Sequence, residues 1–99
     1  MSIYLVERYL PGLRRAELLE ALARVEAEAT QMKANGITVS YLGSTFITDE
    51  DTCFCTFAAE SAAIVREVSS RGGVPLARVV AVERLEPRAE HTINDREAR

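Results

Sequence analysis

Few side chains in this sequence can do chemistry, and most of them share one phase. Glu7 and Tyr9, Tyr41, Cys53 and Cys55, and Glu83 all occupy odd-numbered positions of segments that look extended. A strand sends alternate side chains to one face, so within each segment these groups point the same way. A thiolate set with a carboxylate and a phenol offers donors to a borderline transition metal. Glu7, Tyr41 and the two cysteines, Cys53 and Cys55, are therefore groups from which a divalent-metal site could be drawn. In a closed pocket the same residues suit a different chemistry, with Glu7 as general base and Tyr41 as acid or hydrogen-bond donor. Plainer roles stand beside these. Glu7 and Glu83 can lie at sheet ends and pair with Arg8, Arg84 or Arg78, as weak surface ion pairs do. Cys53 and Cys55 can pack as small hydrophobes. Cys-x-Cys is a far weaker metal pattern than paired Cys-x-x-Cys motifs, and two neighbours so close on a strand suit disulfide geometry poorly.

Other chemistries find no residues. Asp49-Glu50-Asp51 puts three carboxylates in one turn, but consecutive side chains diverge and no EF-hand spacing follows. The one histidine, His91, sits in a charged C-terminal stretch and reaches a site only if that stretch folds back. Ser44 and Ser61 have no nearby histidine to activate them. No nucleophile elbow, phosphate loop, dinucleotide fingerprint or zinc-protease motif is present. A net charge of −3 argues against a nucleic-acid surface. No apolar run is long enough to span a bilayer, and no export signal is visible, so the expected setting is the cytoplasm with reduced thiols.

The elements that position these groups follow from periodicity. Ile3 to Leu10 is rich in β-branched and aromatic residues and reads as a strand, ended by Pro11-Gly12. Leu18, Leu22, Val25, Ala29 and Met32 then recur at helical steps, opposite a charged face of Arg14, Glu17, Glu20, Arg24 and Glu28. Glu20 and Arg24 are spaced for an i,i+4 pair. Asn35-Gly36 stops this helix. Ile37 to Ile47 is a second strand, in which Gly43 marks a bulge or a close approach. A polar turn over 48–52 leads to a third strand, Cys53 to Ala58. Ser61 is placed to cap a second helix with Ile64, Val65 and Val68 inward, and Gly72-Gly73 and Pro75 end it. Arg78 to Leu85 is the fourth strand.

This order predicts an α+β, ferredoxin-like βαββαβ fold, a four-stranded antiparallel sheet with two helices on one face. Residues 1–85 form the domain. Residues 86–99 carry seven charges and few apolar groups, and are expected to be a disordered tail. A sheet with helices on one side should be polar on the other. Here both parities of the first and fourth strands are apolar, as Ile3, Tyr4, Leu5 and Val6 illustrate. The small-domain solution is a homodimer packed sheet against sheet, a dimeric α+β barrel able to enclose a pocket.

The stretches YLVERYLPGL, YLGSTF, CFCTF and VREVSSRGGVPLARVVAVERL, in that order and spacing, resemble a family of small bacterial proteins typified by a nickel-binding protein with a ferredoxin-like fold. The resemblance covers roughly residues 3 to 85. It implies a dimeric α+β barrel with metal or small-molecule binding near the sheet, nickel being the implied metal. It also implies a functional cysteine at Cys55. Nickel-binding members carry histidine near the positions of Glu7 and Val74, and a Glu-Ala-Pro after the third strand where this chain has Ala58-Ala59-Glu60. A site of Glu7, Tyr41 and Cys55 lacks imidazole and binds nickel more weakly than one that has it. The resulting expectation is a dimeric protein that binds a small ligand or a nickel-like divalent metal. The alternatives are a cofactor-independent cyclase, isomerase or monooxygenase working in the inter-sheet pocket, and an interaction module without a pocket.

Overall fold

A computed structural model describes residues 1–88. The elements are β1 (Ser2–Tyr9), α1 (Arg15–Ala34), β2 (Val39–Ile47), a short 3-10 turn (Thr48–Glu50), β3 (Thr52–Ala59), α2 (Ala62–Gly72) and β4 (Arg78–Val82). The strands form one antiparallel sheet in the order β2-β3-β1-β4. This is the predicted βαββαβ, ferredoxin-like α+β fold. His91 and most of the expected tail lie outside the described residues.

Local chemistry sets the boundaries. The Arg14 backbone N–H donates to the Glu17 carboxylate at 2.8 Å and starts α1. Ser61 caps α2 as its type predicts, its hydroxyl accepting from the Ile64 N–H at 3.3 Å. Gly73 ends α2 at φ 69°, a conformation that favours glycine, and the Val74 N–H folds back onto the Ser69 carbonyl. The fourth strand ends at Val82 rather than Leu85. Val82 pairs with Ile3, so Ser2, the first residue of β1, is the last that could face an extension.

Both helices cover the same face of the sheet. Leu18, Val25, Ala29 and Met32 of α1 and Val65 and Val68 of α2 pack on Val6, Cys53, Cys55 and Phe57. The helices approach closely because Gly72 has no side chain; a Cβ there would meet Val25 atoms at 3.4 Å. The other face is open. Leu5, Phe54, Val80 and Val82 lie half-buried on it, with no helix above them among the described residues.

Register decides which residues share a face. Val6 stands opposite Cys55 and Arg8 opposite Cys53, so the even residues of β1 join the odd residues of β3 beneath the helices. Glu7 stands opposite Phe54 on the open face. The expectation that Glu7 shares a face with Cys55 is thus corrected: equal parity in two strands does not mean equal facing until the register between them is known.

A bulge in β2 makes a further adjustment. Tyr41 pairs with Phe57, but the next pair is Gly43 with Thr56, and then Ser44 with Cys55. Leu42 is the extra residue, and Gly43 takes φ 126°. The insertion brings both Tyr41 and Ser44 onto the helix-covered face. An unbroken strand would have put them on opposite sides.

Candidate functional site

The centre of the site is a positive charge inside the core. Arg8 follows Val6 along β1, and the same alternation that buries Val6 buries Arg8 completely. Each nitrogen of its guanidinium donates, in four hydrogen bonds. Nε donates to Cys55 Sγ at 3.3 Å, Nη1 to the Val74 and Pro75 carbonyls at 3.3 Å each, and Nη2 to the Ser69 hydroxyl at 2.9 Å. The α2–β4 connection supplies two of these four acceptors, the Val74 and Pro75 carbonyls, and α2 itself supplies Ser69. Among the described residues no carboxylate lies within ion-pair distance of Arg8. A buried cation without an anion is costly, so the group that can ionise beside it matters.

That group is Cys55. It is fully buried, and the Ser44 hydroxyl donates to its sulfur at 3.0 Å while Cys53 Sγ lies 4.0 Å away. The thiol of Cys55 is lowered from an ordinary 9.0 to about 6. Donation from the Cys53 thiol favours the thiolate most. Burial opposes it, and the Ser44 hydroxyl and the Arg8 guanidinium favour it further. Cys53 moves the other way, because its proton is held by Cys55 and burial disfavours a second charge. The surroundings thus favour one thiolate in the pair, on Cys55 beside Arg8 and Ser44, with the proton kept on Cys53.

Tyr41 extends this chain of groups outward. Its hydroxyl makes a short hydrogen bond with Ser44, and its ring tilts against Phe57 with centroids 5.4 Å apart. Burial raises its phenol above the usual value; the Ser44 bond lowers it, and the charges of Cys55, Cys53 and Glu26 add to the rise. Tyr41, Ser40, Thr30, Lys33 and Glu26 line a groove of about 160 Å³ between α1 and β2.

The structure thus joins two of the three predicted donors, Tyr41 and Cys55, through Ser44, and leaves Glu7 on the far side of the sheet. Glu7 accepts from Arg78 Nε at 2.7 Å, and 32% of its side chain is exposed. It is a strand-end carboxylate paired with a neighbouring arginine, and no closed pocket of a single chain surrounds it. Tyr9 is exposed on the same open face, and Glu83 lies beyond the end of β4. Among the described residues no three His, Cys, Asp or Glu side chains converge as a metal cage.

Arg8, Ser44 and Ser69 were not among the predicted site residues. For Arg8 a signal existed: in Val6-Glu7-Arg8-Tyr9-Leu10 it sits between two apolar residues of its own parity. Ser44 had none, because its facing depends on the bulge.

Fold and site together define a small ferredoxin-like α+β domain with a buried guanidinium–thiolate pair under its helices. Residues 4–82 match the family described as "Nickel responsive protein SCO4226-like", and the chain belongs to that family. The crystal structure of SCO4226 from Streptomyces coelicolor A3(2) superposes with a TM-score of 0.73 at 16% identity, covering 86% of this chain and 100% of that one. That likeness supports the fold. A search of curated proteins finds no match.

Proposed function

We propose that the chain is a homodimeric binding protein whose open sheet face closes on a second copy, and whose cargo is a small ligand or a divalent, nickel-like cation. The observation that carries this reading is membership, over residues 4–82, of a family described as nickel responsive. The apolar open face supports the dimer: Leu5, Phe54, Val80 and Val82 form a patch of the kind that marks an interface.

The donors within one chain do not fit a nickel ion. No cluster of three ligands forms among the described residues, and the Arg8 charge beside Cys55 repels a cation. Of the three candidates only Glu7 lies on the open face. A two-fold dimer through that face brings the Glu7 of each copy to one interface. A cation taken up there displaces the Arg78 guanidinium from Glu7 and is held by carboxylate oxygens from two chains, not by the core thiols. The absence of a membrane-crossing helix among the described residues agrees with a protein that meets its ligand in water.

Light scattering at tens of micromolar protein, followed by nickel titration calorimetry on chelator-treated protein, tests both parts. The expected results are twice the chain mass and heat of binding that weakens in Glu7→Gln. A single-chain mass overturns the dimer, and absence of nickel uptake overturns the cation.

A further inference from the structure

Cys55 is placed for covalent chemistry that cation binding leaves unused. Three observations converge on its sulfur. Arg8, wholly buried, has no carboxylate partner among the described residues and donates to Cys55. A second thiol, Cys53, sits 4.0 Å away and keeps its proton. Ser44, an exposed residue of the outer strand β2, donates to the sulfur at 3.0 Å. Tyr41 passes this contact on toward the groove between α1 and β2. The titratable groups facing the sulfur are Arg8 of β1, Cys53 of its own strand and Tyr41 of β2. From α2 comes the uncharged Ser69, which bonds Arg8, while Glu26 of α1 acts on Tyr41.

We propose that Cys55 is a thiolate nucleophile that hydroperoxides convert to a sulfenic acid, with Arg8 as its counter-ion and Ser44 as the proton donor. The sulfur attacks one peroxide oxygen, an S–O bond forms and the O–O bond breaks. Both electrons of the O–O bond leave with the second oxygen, as hydroxide from hydrogen peroxide or alkoxide from an organic hydroperoxide. That oxygen takes a proton relayed through Ser44 and departs as water or alcohol. The sulfur loses two electrons and the peroxide gains two. Cys55 is fully buried in the closed fold, so peroxide reaches the sulfur through local opening beside the exposed Ser44. The extended strand holds Cys53 and Cys55 side by side, so the sulfenic acid has no favourable disulfide partner in the chain.

The rate advantage over a free cysteine is modest. With a thiol lowered from 9.0 to about 6, Cys55 presents roughly ninetyfold more thiolate at pH 7 than an unperturbed cysteine. The weaker intrinsic nucleophilicity of an acidic thiol takes back roughly twentyfold of this. The pH profile is therefore the signature.

The experiment treats folded protein with hydrogen peroxide, traps sulfenic acid with dimedone and locates the adduct by mass spectrometry from pH 5 to 9. The expected adduct is on Cys55 and not Cys53, with a rate that levels off above about pH 7 and falls below about pH 6. Ser44→Ala, a change at an exposed position, should move the midpoint upward and slow the reaction about tenfold at pH 6, the loss expected for one hydrogen bond to a charged group. Cys53→Ala should also raise the midpoint, with folding checked by circular dichroism. A rate that climbs through pH 8.5 like an ordinary thiol overturns the proposal. So does labelling that occurs only after unfolding in urea, or a Ser44→Ala profile identical to wild type.

Discussion

Removing the Cys55 sulfur tests whether Arg8 depends on it for charge. In Cys55→Ala the guanidinium keeps its bonds to Ser69, Val74 and Pro75 but loses the one ionisable acid it touches among the described residues. The size of the effect follows from linkage. The folded thiol sits at about 6 and the ordinary value is 9.0. A group lowered on folding adds stability that is fully present above the unfolded value and is lost as pH falls through the folded one. For Cys55 this stabilisation is small at pH 5.5 and grows to a few kcal/mol, on the order of 1–3, as pH rises to 8. A pH-independent cost for the lost packing is added to it. Cys53, raised on folding, opposes the gain only above the ordinary thiol range, where the unfolded chain would ionise it and the folded chain would not. Urea unfolding of wild type and Cys55→Ala at pH 5.5, 7 and 8, extrapolated to water, measures the gap. The expected gap widens with pH from 5.5 to 8, by on the order of 1–3 kcal/mol. A gap that stays constant across this range refutes the thiolate–guanidinium pair, whatever its absolute size.

Arg8→Met should cost about 3–5 kcal/mol by the same urea assay, because it leaves Ser69, two carbonyls and the thiolate without their shared donor. Wild-type-like stability would show that these groups are satisfied without it. Gly43→Ala should lose about 1–3 kcal/mol, since φ 126° strains any side chain, and should weaken the Ser44 contact with Cys55. A neutral result by thermal melting would mean that the bulge can move at no cost. Glu7→Ala should cost less than about 1 kcal/mol, as expected for a partly exposed ion pair with Arg78. Leu5→Arg puts a charge on the open sheet face and should yield the single-chain mass by light scattering without unfolding the chain.

The architecture was legible because its signals are local. The helical steps from Leu18 to Met32, the Ser61 cap and Gly73 each act within one or two turns, and each element formed where those residues require. Gly43 was read as a bulge or a close approach, and the bulge is what formed. The site was less legible because facing is a pairwise property. β1 is apolar on both parities, so its sequence does not say which parity lies under the helices. Only the pairing of Val6 with Cys55 settles that Arg8 is inside and Glu7 outside. The extra residue at Leu42 cancels simple alternation in β2, so Tyr41 was assigned beside Cys55 while Ser44, its link to that sulfur, went unseen. The rest of the centre comes from chain more than 60 residues away: Ser69, Val74 and Pro75 reach Arg8 over separations of 61, 66 and 67 residues.

The bulge in β2 bears on how the molecule meets other molecules. β2 is an outer strand of the sheet, so one row of its backbone N–H and C=O groups has no neighbour within the domain. A flat strand in that position would template a further strand from another chain and invite open-ended edge-to-edge stacking. The insertion at Leu42 and the left-handed Gly43 break the even spacing of those groups midway along the strand and increase its twist. The same residue that turns Ser44 toward the thiolate thus guards this rim against runaway growth, and leaves the flat of the sheet as the surface on which copies can meet and stop.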